Sequence, residues 1–154
     1  MPSIFSIRLK YGLLRLGVAV IRISLSSRIN CSKATRVASA ASPWLAGFEE
    51  GELHSIAVSP GEGKFVVGKE LAEQLFRDGQ VAFRYADAEG QPTMSSPMNP
   101  NGSYYAIEGI CSPDGRILGK MGHTERWEEN LFKNISGNKS QRLFENAVNY
   151  FRKK

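Results

Sequence analysis

A chain of 154 residues is long enough for one domain with a core of its own, and 42% apolar with 23% charged side chains is a globular composition. Its net charge of +5 sits in one place: residues 1 to 48 hold Arg8, Lys10, Arg15, Arg22, Arg28, Lys33 and Arg36 and no acid, so the remainder carries a small negative balance. A basic total of that origin, with no Lys and Arg gathered on a patterned face, excludes the usual inference to nucleic acid, and no apolar run reaches the ~20 residues of a membrane-spanning helix.

In chain order, residues 1 to about 33 are rich in Arg and Ser and free of acids, the composition of an organellar transit peptide. A second reading is an ordinary strand and helix, with Val18 to Ile23 as the strand. A third is a non-native start supplied by a truncated or frame-shifted reading frame. Domain-like text follows as residues 34–154. Pro43-Trp44-Leu45 predicts a short helical or turn element, and Leu53 to Val58 a buried strand. Gly61-Glu62-Gly63 then leads into Phe65-Val66-Val67, read as a second strand after a glycine turn. Lys69 to Arg77 carries Leu71, Leu75 and Phe76 at helical spacing and stops at Asp78-Gly79. Val81 to Tyr85 alternates like a strand, and Asp87 to Gly102 is a loop rich in Pro, Gly, Asn and Ser. Near the end, Trp127 to Phe132 is helical or irregular. Ser140 to Phe151 is a helix with Leu143, Phe144, Ala147, Val148 and Phe151 on one stripe, which predicts that it covers the core.

The informative stretch is Tyr104 to Arg126, YYAIEGICSPDGRILGKMGHTER. Tyr104 to Ile110 predicts a strand, Ser112-Pro113-Asp114-Gly115 a turn, and Arg116 to Met121 a second strand, so the segment is a hairpin. His123 falls where that strand runs out. In extended chain, side chains two apart point the same way, so His123 and Glu125 share a face and the carboxylate can hold the imidazole. Nucleophilic acyl transfer uses such a pair, a base that takes a proton from a thiol and a group that fixes its tautomer. A bare His-x-Glu is also a common accident, so the spacing alone leaves a structural role open.

Asn99-Pro100-Asn101-Gly102-Ser103, Ala106-Ile107-Glu108-Gly109-Ile110 and the run from Ser112 to Arg126 together resemble the C-terminal glutaminase domain of phosphoribosylformylglycinamidine synthase. The resemblance spans Thr35 to Phe151. It implies the α/β class, as part of the flavodoxin-like fold of class I (triad) glutamine amidotransferases, a mixed sheet with few helices. It implies glutamine as substrate, with His123 as the base and Glu125 as its orienter. It also implies a loop near the glutamine matched by Ser59, Gly61, Glu62 and Gly63, in which Pro60 departs by standing where the family has His. The partner implied is a synthetase domain, which uses ATP and Mg to turn formylglycinamide ribonucleotide into the formylglycinamidine of purine biosynthesis. No cofactor and no metal is expected in this chain. Because the resemblance becomes recognisable only from Thr35, where the charge also changes, the third reading of residues 1–33 is favoured.

The family's nucleophile lies on a strand-to-helix elbow, Gly-x-Cys-x-Gly, beside oxyanion-hole amides. Cys31, in Arg28-Ile29-Asn30-Cys31-Ser32-Lys33, has no glycine beside it, and Cys111 runs on into the hairpin turn, so it is read as structural. Two such cysteines also lack metal or disulfide-framework spacing and predict a reducing, cytoplasmic setting. The expectation is therefore a glutaminase fragment with the His and Glu of the triad, inactive alone. A degenerate amidotransferase-like binding module is the alternative.

Overall fold

The computed structural model describes residues 31–59 and 63–152. The readings offered for residues 1–30, and Pro60, Gly61 and Glu62 of the loop, lie outside these described residues.

The first strand, β1 (Cys31–Val37), is the one the sequence hid. Lys33, Thr35 and Val37 are buried while Ala34 and Arg36 between them are half-buried. Burial alternates with the strand period, but two of the three inward positions are polar, so hydropathy does not. After a 3-10 turn at Pro43–Leu45, capped by Ser42 Oγ accepting from Trp44 N–H, β2 (Leu53–Val58) turns His54, Ile56 and Val58 inward. Phe65 to Val67 is not the strand its side chains suggest. Phe65 donates its N–H to Ser103 Oγ and accepts from Tyr104 N–H, so a loop satisfies its backbone where a strand would need a partner, and Val67 still enters the core.

Helix α1 (Lys69–Arg77) buries Ala72 and Leu75, carries Glu70 in its first turn and Arg77 in its last, and ends where Gly79 takes φ +66°. β3 (Val81–Tyr85) follows. The strand expected from Tyr104 begins only at Ile107, as β4 (Ile107–Cys111), because Tyr105 and Ala106 sit at φ +55° and +59° in a tight turn. β5 is Leu118–Lys120, and α2 is Leu143–Arg152.

The sheet runs β2-β1-β3-β4-β5, and every pairing among these strands is antiparallel. It curls until its two edges meet. Val58 bridges Gly122, His123 donates its N–H to Ala57 O at 2.8 Å, and Ser55 N–H reaches Asn138 O at 2.6 Å. The outer edge of β2 is thus largely covered by the chain that leaves β5. α1 packs on one core of Val67, Ala72, Leu75, Val81 and Ile107, and α2 on another of Val37, Leu45, Ala82, Phe83 and Leu143.

α2 covers less than its stripe predicts. Leu143 and Ala147 are buried, but Phe144, Val148 and Phe151 are 55%, 45% and 42% exposed. The helix lies at the margin of the sheet, docked by Asn146 Nδ2 donating to Trp44 O and Ala46 O, so only one edge of its apolar stripe meets the core. Phe144 instead stands edge-on to Trp44, and Phe151 lies under the Arg116 guanidinium.

Candidate active site

The β4–β5 hairpin carries the site. Its turn is fastened by Asp114 Oδ1, which accepts from Ser112 Oγ and Arg116 N–H, while Gly115 takes φ +68° and its carbonyl accepts from Ser42 Oγ. With Gly109 opposite Lys120 and Cys111 opposite Leu118, β5 delivers the chain to Met121, whose N–H donates to Glu108 O. The Gly122 N–H then donates to the buried Glu108 Oε1 at 2.5 Å. A Cβ on Gly122 would lie 2.6 Å from that oxygen and 2.9 Å from Ile56 Cγ2, so only glycine fits here.

His123 follows, fixed to β2 through its own N–H, and Thr124–Arg126 form a 3-10 turn. His123 Nδ1 lies 2.7 Å from Glu125 Oε1. The contact expected from extended chain is made by a turn instead, since the chain bends as soon as it clears β2. An ionised carboxylate accepts, so this contact selects the tautomer with the proton on Nδ1 and leaves Nε2 free to take one. Burial works to raise the Glu125 carboxyl, but hydrogen bonds from its own backbone N–H and from His123, with the imidazole charge, outweigh it and hold the group below the usual carboxylate range. The Arg126 charge adds to that lowering, while its Nη1 donates to Ser59 Oγ at 2.6 Å. The pair borders a cleft of about 340 Å³, walled by Trp44, Leu118, Leu143 and Phe144.

Of the loop matched to the glutamine site, Gly63 takes φ +78° and packs so close to Met121 that a Cβ would meet the Met121 sulfur at 2.6 Å, which places it beside the Gly122–Arg126 box that carries the pair. Glu62 and Gly61 are outside the described residues. Cys111 ends β4, is buried, and has its Sγ 3.9 Å from Gly79 O, toward α1. Burial pushes its thiol pKa up, with Asp114 adding to the effect, so the group is a poor nucleophile. Its register partner Leu118 precedes His123 by five residues of sequence. Cys31 begins β1 opposite Val58, in a strand and not at an elbow. Among the described residues no three His, Cys, Asp or Glu side chains gather as a metal site, and no helix is long and apolar enough to cross a membrane.

Beneath the box lies a polar cluster that sequence reasoning missed. Lys120 Nζ donates to Thr124 Oγ1 at 3.0 Å and to Gln141 Oε1 at 2.8 Å, and lies 3.7 Å from Glu108 Oε1; Thr124 Oγ1 also donates to Gln141 Oε1. The signal available was an acid inside an apolar strand, Glu108 between Ile107 and Gly109, and a lysine two residues before a glycine in the strand that pairs with it.

The CobB/CobQ-like glutamine amidotransferase domain model matches residues 25–151. The chain is 36% identical over 120 residues to the phosphoribosylformylglycinamidine synthase subunit PurQ of Methanococcus maripaludis, an alignment covering 66% of this chain and 44% of that protein. It is 41% identical over 91 residues to the PurQ subunit of Thermomicrobium roseum, covering 59% and 38%. The chain thus spans less than half the length of these curated relatives. The solved structure of PurLQS from Thermotoga maritima superposes with a TM-score of 0.59 at 24% identity, over 89% of this chain and 55% of that one, which shows a shared fold. With the family model covering most of its length, this chain belongs to the CobB/CobQ-like glutamine amidotransferase domain family.

Proposed function

We propose that this chain supplies the His/Glu part of the glutaminase site of a phosphoribosylformylglycinamidine synthase. The observation that carries the proposal is the 2.7 Å contact between His123 Nδ1 and Glu125 Oε1 at the rim of a cleft, in a chain related to PurQ subunits. In this reading His123 Nε2 takes the proton of a thiol supplied by another segment, and the thiolate attacks the side-chain amide carbon of glutamine. The imidazolium then gives the proton to the departing ammonia. Next, His123 deprotonates the water that hydrolyses the thioester. Glu125 holds the tautomer and stabilises the imidazolium. Glu62, Gly61 and Gly63 would border the glutamine. The ammonia would pass to a synthetase partner, which binds the ATP and Mg, in the cytoplasm.

Neither cysteine of the chain stands at an elbow, so the purified chain should release no ammonia from glutamine above background, with or without Cys111→Ser. The same fact favours the second reading, a binding module without chemistry. Mixing decides between them: a nucleophile-bearing N-terminal half from a PurQ relative should restore ammonia release in the glutaminase reading. A His123→Ala change should then lower kcat by about 10³-fold or more, the scale of losing a triad member. Restored turnover indifferent to His123 would overturn the assignment, and a bound but silent complex would favour the binding module.

A further inference from the structure

We infer that Lys120 is a positioning residue for the His123–Glu125 pair, a buried ammonium that grips Thr124 between the two and so sets where the imidazole stands. The inference rests on the His/Glu reading above for its catalytic meaning but not for its geometry. Lys120 and Glu108 have side chains only 10% and 0% exposed, and their charged atoms lie 3.7 Å apart. Burying two charges costs several kcal/mol apiece before their attraction returns it, so a pair kept there is weak support for stability and invites another explanation.

Every group in the cluster acts on three consecutive residues of the box. Glu108 Oε1 accepts the Gly122 N–H, Lys120 Nζ and Gln141 Oε1 hold the Thr124 hydroxyl from two sides, and β2 takes the His123 N–H. The Phe83 ring lies under the ammonium, 4.9 Å from centroid to Nζ, and closes the remaining side. His123 is therefore fixed before and after itself, while Glu125, 56% exposed, has its carboxylate set by the turn. Without Lys120 the Thr124 hydroxyl keeps one partner, the 3-10 turn loses its inner anchor, and the imidazole is no longer held against the carboxylate.

Only two histidines occur in the chain, His54 and His123, so ¹⁵N-histidine spectra of the full chain resolve the His123 tautomer directly. In the unaltered protein the Nδ1–H form should dominate. Lys120→Met should lower the ratio of Nδ1–H to Nε2–H forms by about tenfold, because the Glu125 carboxylate on Nδ1 is what selects the tautomer. Thr124→Val, which leaves the Lys120–Glu108 pair in place, should lower it similarly. It decides the matter if Lys120→Met fails to fold, judged by dispersed methyl signals of Val37 and Ile107. Folded variants that keep the native tautomer ratio would show Lys120 to be structural only and overturn the inference. The readout needs no turnover, so failure of the glutaminase reading would leave a changed tautomer ratio standing.

Discussion

His54 faces the interior from β2, the strand that holds the His123 N–H, and its titration should govern the acid side of the stability curve. Its ring is buried, 3.1 Å from Glu52 Oε1 and 5.3 Å from the Phe48 ring centroid. Burial lowers its pKa and the Lys120 charge adds to that, against the opposing pull of Glu52. A folded-state pKa below the unfolded value of 6.5 means that the unfolded chain binds the proton first, so the contribution is fully present above pH 6.5 and is lost as pH falls below it. Thermal unfolding between pH 7.5 and 5.5 should show a falling midpoint, with a slope of at most about 1.4 kcal/mol per pH unit from this one group. His54→Gln should flatten that slope; an unchanged slope would assign it elsewhere. At this scale the sequence was legible where a contact depends on short spacing, as in the one between His123 and Glu125. It was silent where chemistry depends on packing: nothing in the string tells that Lys120 and Gln141, 21 residues apart, share one hydroxyl partner, because their meeting is made by the sheet and the segment before α2.

Among the elements, α2 offers the sharpest test of which packing carries stability. Leu143 is 3% exposed and sits with Val37, Leu45, Ala82 and Phe83, whereas its neighbour Phe144 is 55% exposed and touches the fold chiefly through Trp44. Leu143→Ala should cost about 2–5 kcal/mol in a urea titration, by lost transfer energy and the cavity left behind. Phe144→Ser should change stability by less than about 1 kcal/mol, since an exposed ring gives up little buried area. Equal effects would mean that α2 seats itself by its outer stripe. The elements the sequence made legible are those whose inner face is largely apolar: Leu53–Val58, Lys69–Arg77 and Val81–Tyr85 form as read. β1 escaped because Lys33 and Thr35 face inward, and Phe65–Val67 misled because Val67 is buried and Phe65 and Val66 are half-buried without a strand partner. The full stripe of α2 misled in the opposite direction, for periodicity states which residues share a face but not how much of that face the rest of the chain covers.

For the whole molecule, the consequential contact is the one that joins its first strands to its last. β2 lies at one edge of the sheet and β5 at the other, yet Val58 bridges Gly122 and the His123 N–H ends on Ala57 O, so the box is both the clasp of the curled sheet and the place where the His/Glu pair stands. A clasp that closes between segments some 65 residues apart forms only when the intervening strands are in register, which ties the geometry of the pair to the integrity of the sheet. Local fraying therefore cannot release His123 while β2 stays paired. The turns after it, from Trp127 onward, have exposed side chains and few long-range bonds, and they should open freely. Native-state amide exchange separates the two. The His123 amide should be protected to within about tenfold of Ile56 in the neighbouring strand, while the amides of Glu129 and Asn130 should exchange at least about 100-fold faster. If His123 exchanged with the fast group while Ile56 remained slow, the clasp would be a loose contact rather than part of the sheet, and the pair would have to be set by Lys120 and Thr124 alone.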